Sequence, residues 1–103
     1  MSNEKPLVKN AADESQIRSA EVKKKIQEDN EHNDLKYILD SEQGRRFIWK
    51  QLERCGVFKS SFTGSSETYF LEGQRNIGLK LLADVMACDP QAYLKMYIKN
   101  KGN

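Results

Sequence analysis

Residues 67–86 read ETYFLEGQRNIGLKLLADVM, and the fold turns on how this stretch is read. Its apolar residues return at helical spacing: Phe70, Gly73, Ile77, Leu81 and Val85 trace one row, with Leu82 and Met86 on the adjoining one. Glu67 in the first turn complements the positive end of a helix dipole. The spacing predicts a central helix over 67–87. Gly73 and Gly78 inside that helix each cost about 1 kcal/mol relative to alanine. Something has to offset that cost, and the close approach of a second helix or of the 58–62 loop is the expected cause. Glu72 and Arg75, at i,i+3, read first as an ion pair.

Downstream, Asp89-Pro90 predicts a helix start, with Asp89 as N-cap and Pro90 at the first helical position. The last helix buries either Tyr93, Met96 and Tyr97 or Leu94 and Ile98, and its Lys95, Lys99 and Lys101 complement the negative helix end. Upstream, residues 56–66 (GVFKSSFTGSS) read as a loop. Val57, Phe58 and Phe62 are expected to plug back into the core, and the turn Thr63–Ser66 leads to a cap at Ser66. Before that loop, Asp40 or Ser41 can cap a helix in which Phe47 or Ile48, Gln51 or Leu52, and Cys55 recur at helical spacing. Gly56 suits the left-handed position that closes it. Trp49 lies about 100° around the helix from Ile48, so either two surfaces are covered or Trp49 anchors a partner.

The first third is different. Residues 1–13 are polar and without period, and are read as disordered in isolation. From Glu14 the chain becomes helix-friendly, but Ile17, Val22 and Ile26 give only a thin apolar stripe. Such a helix is marginal unless it lies on a partner. The run Lys23–Lys25 is flanked by Glu21 and Glu28-Asp29 and reads as a solvated face with a Glu21–Lys25 pair. Asn30–Asn33 is expected to break the helix, with Asp34 capping a short one that carries Leu35, Ile38 and Leu39 on one face. The chain therefore reads as an all-α protein. It has about four helices around helix 67–87, an extended or helical N-terminal arm over 1–33, and a helical domain over 34–103.

Of the 103 residues, 38% are hydrophobic and 31% charged, so the core is concentrated in part of the chain. Residues 1–34 carry six Lys/Arg against eight Asp/Glu, and residues 35–103 carry eleven against seven. That mildly basic balance is far below a dedicated DNA-binding protein. No run approaches the roughly 20 apolar residues of a membrane span, and the N-terminus lacks the apolar region of a secretory signal. Cys55 and Cys88 are too few for a disulfide framework, so synthesis in a reducing cytoplasm is expected.

Little catalytic chemistry converges. Phosphate-loop, dinucleotide, C-x-x-C and H-E-x-x-H motifs are missing. His32, the one histidine, sits in a polar stretch without ligands at metal spacing. No catalytic, metal or cofactor residue is expected, and the protein is read as a non-enzyme. Arg45, Arg46 and Arg75, with Lys99 and Lys101 at the basic end, could contact phosphate. The alternative is that Arg45 or Arg75 locks helices together through Glu72 and backbone carbonyls.

Four motifs carry a resemblance: Ser41-Glu-Gln-Gly44-Arg45-Arg46; Leu52-x-x-Cys55-Gly56-Val57-Phe58; Phe70-x-Glu72-Gly73-x-Arg75-x-x-Gly78-Leu79; and Asp89-Pro90-x-x-Tyr93-x-x-Met96. Together they resemble the Bbp-nineteen-like phage family of short-tailed phages (podophages), over roughly residues 35–98. The resemblance implies a virion or virion-morphogenesis protein, present in the particle. Gly44, Cys55, Gly56, Glu72, Gly73, Arg75 and Gly78 would then be determinants of the fold. Its implied partners are portal, tail or internal virion proteins, and further copies of itself in a ring. The arm and Trp49, with Ile17, Val22 and Ile26, would supply the contacts. A module contacting packaged DNA and a host-directed inhibitor are the other two functions considered.

Overall fold

The structure, a computed structural model, describes residues 11–101. The expected disorder of the N-terminus falls mostly on residues 1–10, outside the described ones; residues 11–13 are helical. Among the described residues four α-helices follow one another: α1 Ala11–Leu39, α2 Glu42–Arg54, α3 Glu67–Cys88 and α4 Pro90–Lys101. The fold is all-α, and no strand occurs among the described residues. The chain divides into two units, Met1–Glu31 and His32–Asn103.

In the first unit the described residues belong to α1 alone. Side chains 12–31 are exposed, including Ile17, Val22 and Ile26. Support is local: Lys25 Nζ donates to Asp29 Oδ1 at 2.7 Å, and Gln27 Nε2 to Glu31 Oε2 at 3.2 Å. Lys25 thus pairs forward with Asp29, not back with Glu21. The expected break at Asn30–Asn33 does not occur, because α1 runs through these residues to Leu39. The 29 residues of α1 contain no Gly or Pro, and Asn or His costs only a few tenths of a kcal/mol in a helix interior.

The second unit holds the core. Leu39, Leu52 and Val85 are almost wholly buried, together with Ile48, Trp49, Val57, Ala92 and Met96. Ser41 caps α2, its hydroxyl accepting from Gly44 N–H at 2.9 Å. Gly56 ends that helix at φ +76°, a left-handed conformation that a Cβ disfavours. Ser66 begins α3 without a side-chain hydrogen bond. The first-turn Glu67 N–H is taken instead by Ser65 Oγ at 3.3 Å, while Thr68 Oγ1 accepts from Thr63 N–H at 2.9 Å and ties the preceding loop to the helix.

Several expectations about faces are corrected. Along α3, the row that turns inward is Leu71, Arg75, Gly78, Leu82 and Val85, while Phe70 and Ile77 are each 66% exposed. Phe62 does not plug the core but lies exposed, whereas Val57 is buried and Phe58 packs against the cluster. On α2 Ile48 is inside and Phe47 outside; on α4 Ala92 and Met96 are inside while Leu94, Tyr97 and Ile98 are exposed. Trp49 is corrected as a partner anchor. Its ring stacks on Phe58 with centroids 4.6 Å apart, meets Tyr93 at 6.3 Å, and is only 4% exposed.

The glycines of α3 separate. A Cβ on Gly78 would stand 2.5 Å from both Cys55 Cβ and Val57 Cγ2, so two of the sequence motifs meet there, back to back. Gly73 has nothing within 4 Å of its Cβ position, and the expected close neighbour is missing. Among the described residues, Glu72 and Arg75 form no ion pair; the Nε of Arg75 is buried without an acceptor.

Asp89 fastens the start of α4. Its Oδ1 accepts from Ala92 N–H at 3.1 Å, and its Oδ2 from Lys36 Nζ at 3.2 Å. These bonds, the backbone one first, hold the Asp89 carboxyl below the usual carboxylate range. A depressed folded pKa stabilises the fold above the unfolded value of about 3.9, and that stability is lost as pH falls through the folded value. We expect Asp89→Ala to lose about 1 kcal/mol at neutral pH. Asp89→Asn, which keeps a capping oxygen, should flatten the acid limb of the thermal-melt profile.

Candidate functional site

The turn between α1 and α2 takes only two residues, Asp40 and Ser41, and so brings the two helix ends into close contact. A Cβ on Gly44 would overlap the Ile38 carbonyl oxygen. Arg45 Nη1 donates to the carbonyl of Leu39 at 2.9 Å, satisfying one of the acceptors that a helix C-terminus leaves unpaired. Gly44 and Arg45 are thus parts of a corner, and Arg45 is the lock between helices that one of its two readings describes.

On the far side of this corner an open cleft lies between the first turns of α2 and the last turns of α4. Arg45 and Arg46 line it from α2, and Lys95 and Lys99 from α4, together with Met96 and Asn100. Glu42 is the one acid among the described residues that line it, and it is ion-paired with Lys99. Lys99, then Arg46 and Arg45, draw the Glu42 carboxyl below the ordinary range.

The five residues considered for phosphate contact therefore part company. Arg45, Arg46 and Lys99 are gathered in the cleft. Arg75 lies on the inner side of α3, half-buried. Lys101 sits 5.3 Å above the Phe58 ring, a cation–π contact. Lys95 and Glu42 belong to the site but were not among its expected members. The i,i+4 spacing of Lys95 and Lys99 put them on one face, but that this face meets α2 is a tertiary fact.

Other chemistry is sparse. Among the described residues, no three His, Cys, Asp or Glu side chains gather as a metal site would need. His32 offers its backbone carbonyl to the Cys88 thiol at 3.6 Å, and burial, with the adjacent Asp89, raises that thiol's pKa. Both cysteines are free thiols. No described helix is long and apolar enough to cross a membrane.

Fold and cleft together define a small all-α domain whose distinctive surface is electrostatic. Its motifs place it among phage proteins: the family described as Bbp19-like phage protein, which is the Bbp-nineteen-like family of the resemblance, matches residues 35–97. That match covers more than half of the chain, and the chain belongs to this family of bacteriophage proteins. No curated protein and no solved structure matches it.

The matched segment begins at Leu35, inside α1, and contains the corner, the Gly78 contact and the Asp89 cap. Gly44, Cys55, Gly56 and Gly78 all have structural work within it. Glu72 and Gly73 make no contact among the described residues that explains their place in the motif.

Proposed function

We propose that this protein is a non-enzymatic structural component of the virion. It docks, in several copies, onto larger proteins of the head–portal–tail region or onto internal, ejection-linked proteins. The observation that carries this reading is the first unit: a described helical segment whose side chains are exposed and which has no core of its own. An isolated helix of this kind is marginal in water, so a partner surface that covers Ile17, Val22 or Ile26 would order it. Membership of a phage-protein family supports the context. The outward Phe70 and Ile77 of α3 supply further apolar surface for assembly.

Mass spectrometry of gradient-purified particles is the test. Peptides of this chain are expected there in constant ratio to the major capsid protein. Peptides found in infected cells but not in particles would overturn the proposal.

A further inference from the structure

We propose that the cleft between α2 and α4 binds the phosphate groups of a nucleic-acid backbone, without reading base sequence. This goes beyond the virion role, and it stands on the arrangement of charge in one place. Four cations from two helices face one another, and among the described residues lining the cleft only one carboxylate opposes them. Their commitments differ. Arg45 spends one nitrogen on the Leu39 carbonyl, and Lys99 is paired with Glu42. Arg46 and Lys95 have no hydrogen-bond or ion-pair partner among the described residues.

The site already holds an oxyanion. The carboxylate of Glu42 occupies it, ion-paired with Lys99 and near both arginines. A phosphate presents the same kind of paired oxygens with a full negative charge. The forked guanidinium of Arg46 matches such oxygens two at a time. Lys95 and Lys99 stand one helical turn apart, a rise of about 6 Å, so they meet successive groups along a strand. Met96 and the lysine stems give the cleft an apolar floor against which a sugar can rest. The excess of Lys/Arg over Asp/Glu in residues 35–103, eleven to seven, adds long-range attraction of the same sign. Among the described residues, no aromatic side chain lines the cleft to stack on a base, and its donors are the cations that phosphate engages, which is why the contact is independent of sequence.

The full chain is titrated with fluorescently labelled duplex and single-stranded DNA at rising salt. We expect weak binding, with Kd on the order of 10⁻⁴ to 10⁻⁶ M, and a log–log salt slope of about −2 to −3 for roughly three neutralised phosphates. The double variant Arg46→Glu/Lys95→Glu should weaken binding about tenfold or more. The pair Lys59→Glu/Lys80→Glu, an equal charge change outside the cleft, should weaken it less than about threefold. Glu42→Gln, which removes the resident anion, should tighten binding about threefold, a gain that misfolding cannot mimic. Circular dichroism melts confirm that each variant is folded.

No binding at low salt overturns the proposal. So does an equal loss in the two double variants, which would reduce the effect to net charge. Polyglutamate displacing DNA as well as an equal charge of DNA would overturn it in favour of a dock for acidic protein. Displacement by inorganic phosphate at matched phosphate concentration would overturn it in favour of a small-anion site.

Discussion

Gly44→Ala should cost the domain about 3 kcal/mol or more, enough to leave a large unfolded fraction in a fold of ordinary stability. The substitution is favoured by helix propensity, by about 1 kcal/mol, so the packing term has to win by a margin. It does so because the new methyl would run into backbone. It overlaps the Ile38 carbonyl oxygen, 2.7 Å from the carbonyl carbon and 3.0 Å from Ile38 Cγ2. Those atoms belong to the last turn of α1, which a two-residue corner and the Arg45–Leu39 bond hold in place. They cannot swing aside as a side chain would. Gly73→Ala is the matched control. It faces open space, so helix propensity acts alone and the variant should gain up to about 1 kcal/mol. Urea unfolding of both variants, with the slope unchanged, measures the difference. A Gly44→Ala protein as stable as the parent would mean that the α1–α2 corner is not built this way.

Trp49→Ala is expected to lose about 3–5 kcal/mol, the range for deleting a buried large aromatic. The ring joins α2 to the post-helix loop through Phe58 and to α4 through Tyr93, so its removal opens a cavity where three segments meet. Trp49→Phe should cost far less. It keeps most of the ring contact and discards the indole N–H, which is buried without an acceptor and is itself a penalty of about 1–3 kcal/mol. Thermal or urea melts of the pair decide between core and interface. If Trp49 were a partner anchor, Trp49→Ala would leave the free protein's stability nearly intact and weaken only assembly.

The helix ends were the most legible features. Ser41, Gly56 and Asp89-Pro90 cap or end their helices through local hydrogen bonds and backbone geometry, so that part of their role is complete within a few neighbouring residues. Faces were harder. α3 carries apolar side chains on several sides, with Phe70 and Ile77 on one row and Leu82 and Val85 on another, and periodicity alone does not say which row meets a neighbour. Gly78 marks the packed row, because Cys55 and Val57 come too close there to admit a side chain. The continuity of α1 through Asn30–Asn33 was hidden for a different reason. Four polar residues in a row resemble a break, but each is only mildly unfavourable in a helix, and neither Gly nor Pro interrupts them.

The cleft was half legible. Adjacent Arg45 and Arg46 point to phosphate chemistry or to a helix lock; in the structure both line the cleft, and Arg45 also closes the corner through the Leu39 carbonyl. The contributions of Lys95 and Glu42 follow from α4 lying beside α2, which no local pattern encodes. The inward turn of Arg75 likewise follows from the packed face of α3 rather than from its motif.

A first unit whose described residues have no core of their own should become stably ordered only on a larger virion protein. Hydrogen exchange followed by mass spectrometry, on the free chain and on purified particles, tests that most directly. In the free chain, amides of residues 11–31 should exchange within seconds while those around Leu52 and Val85 are protected, since local stability follows burial. In particles, residues 11–31 should become as slow as the core. The same fast exchange over residues 11–31 in both states would contradict this docking role.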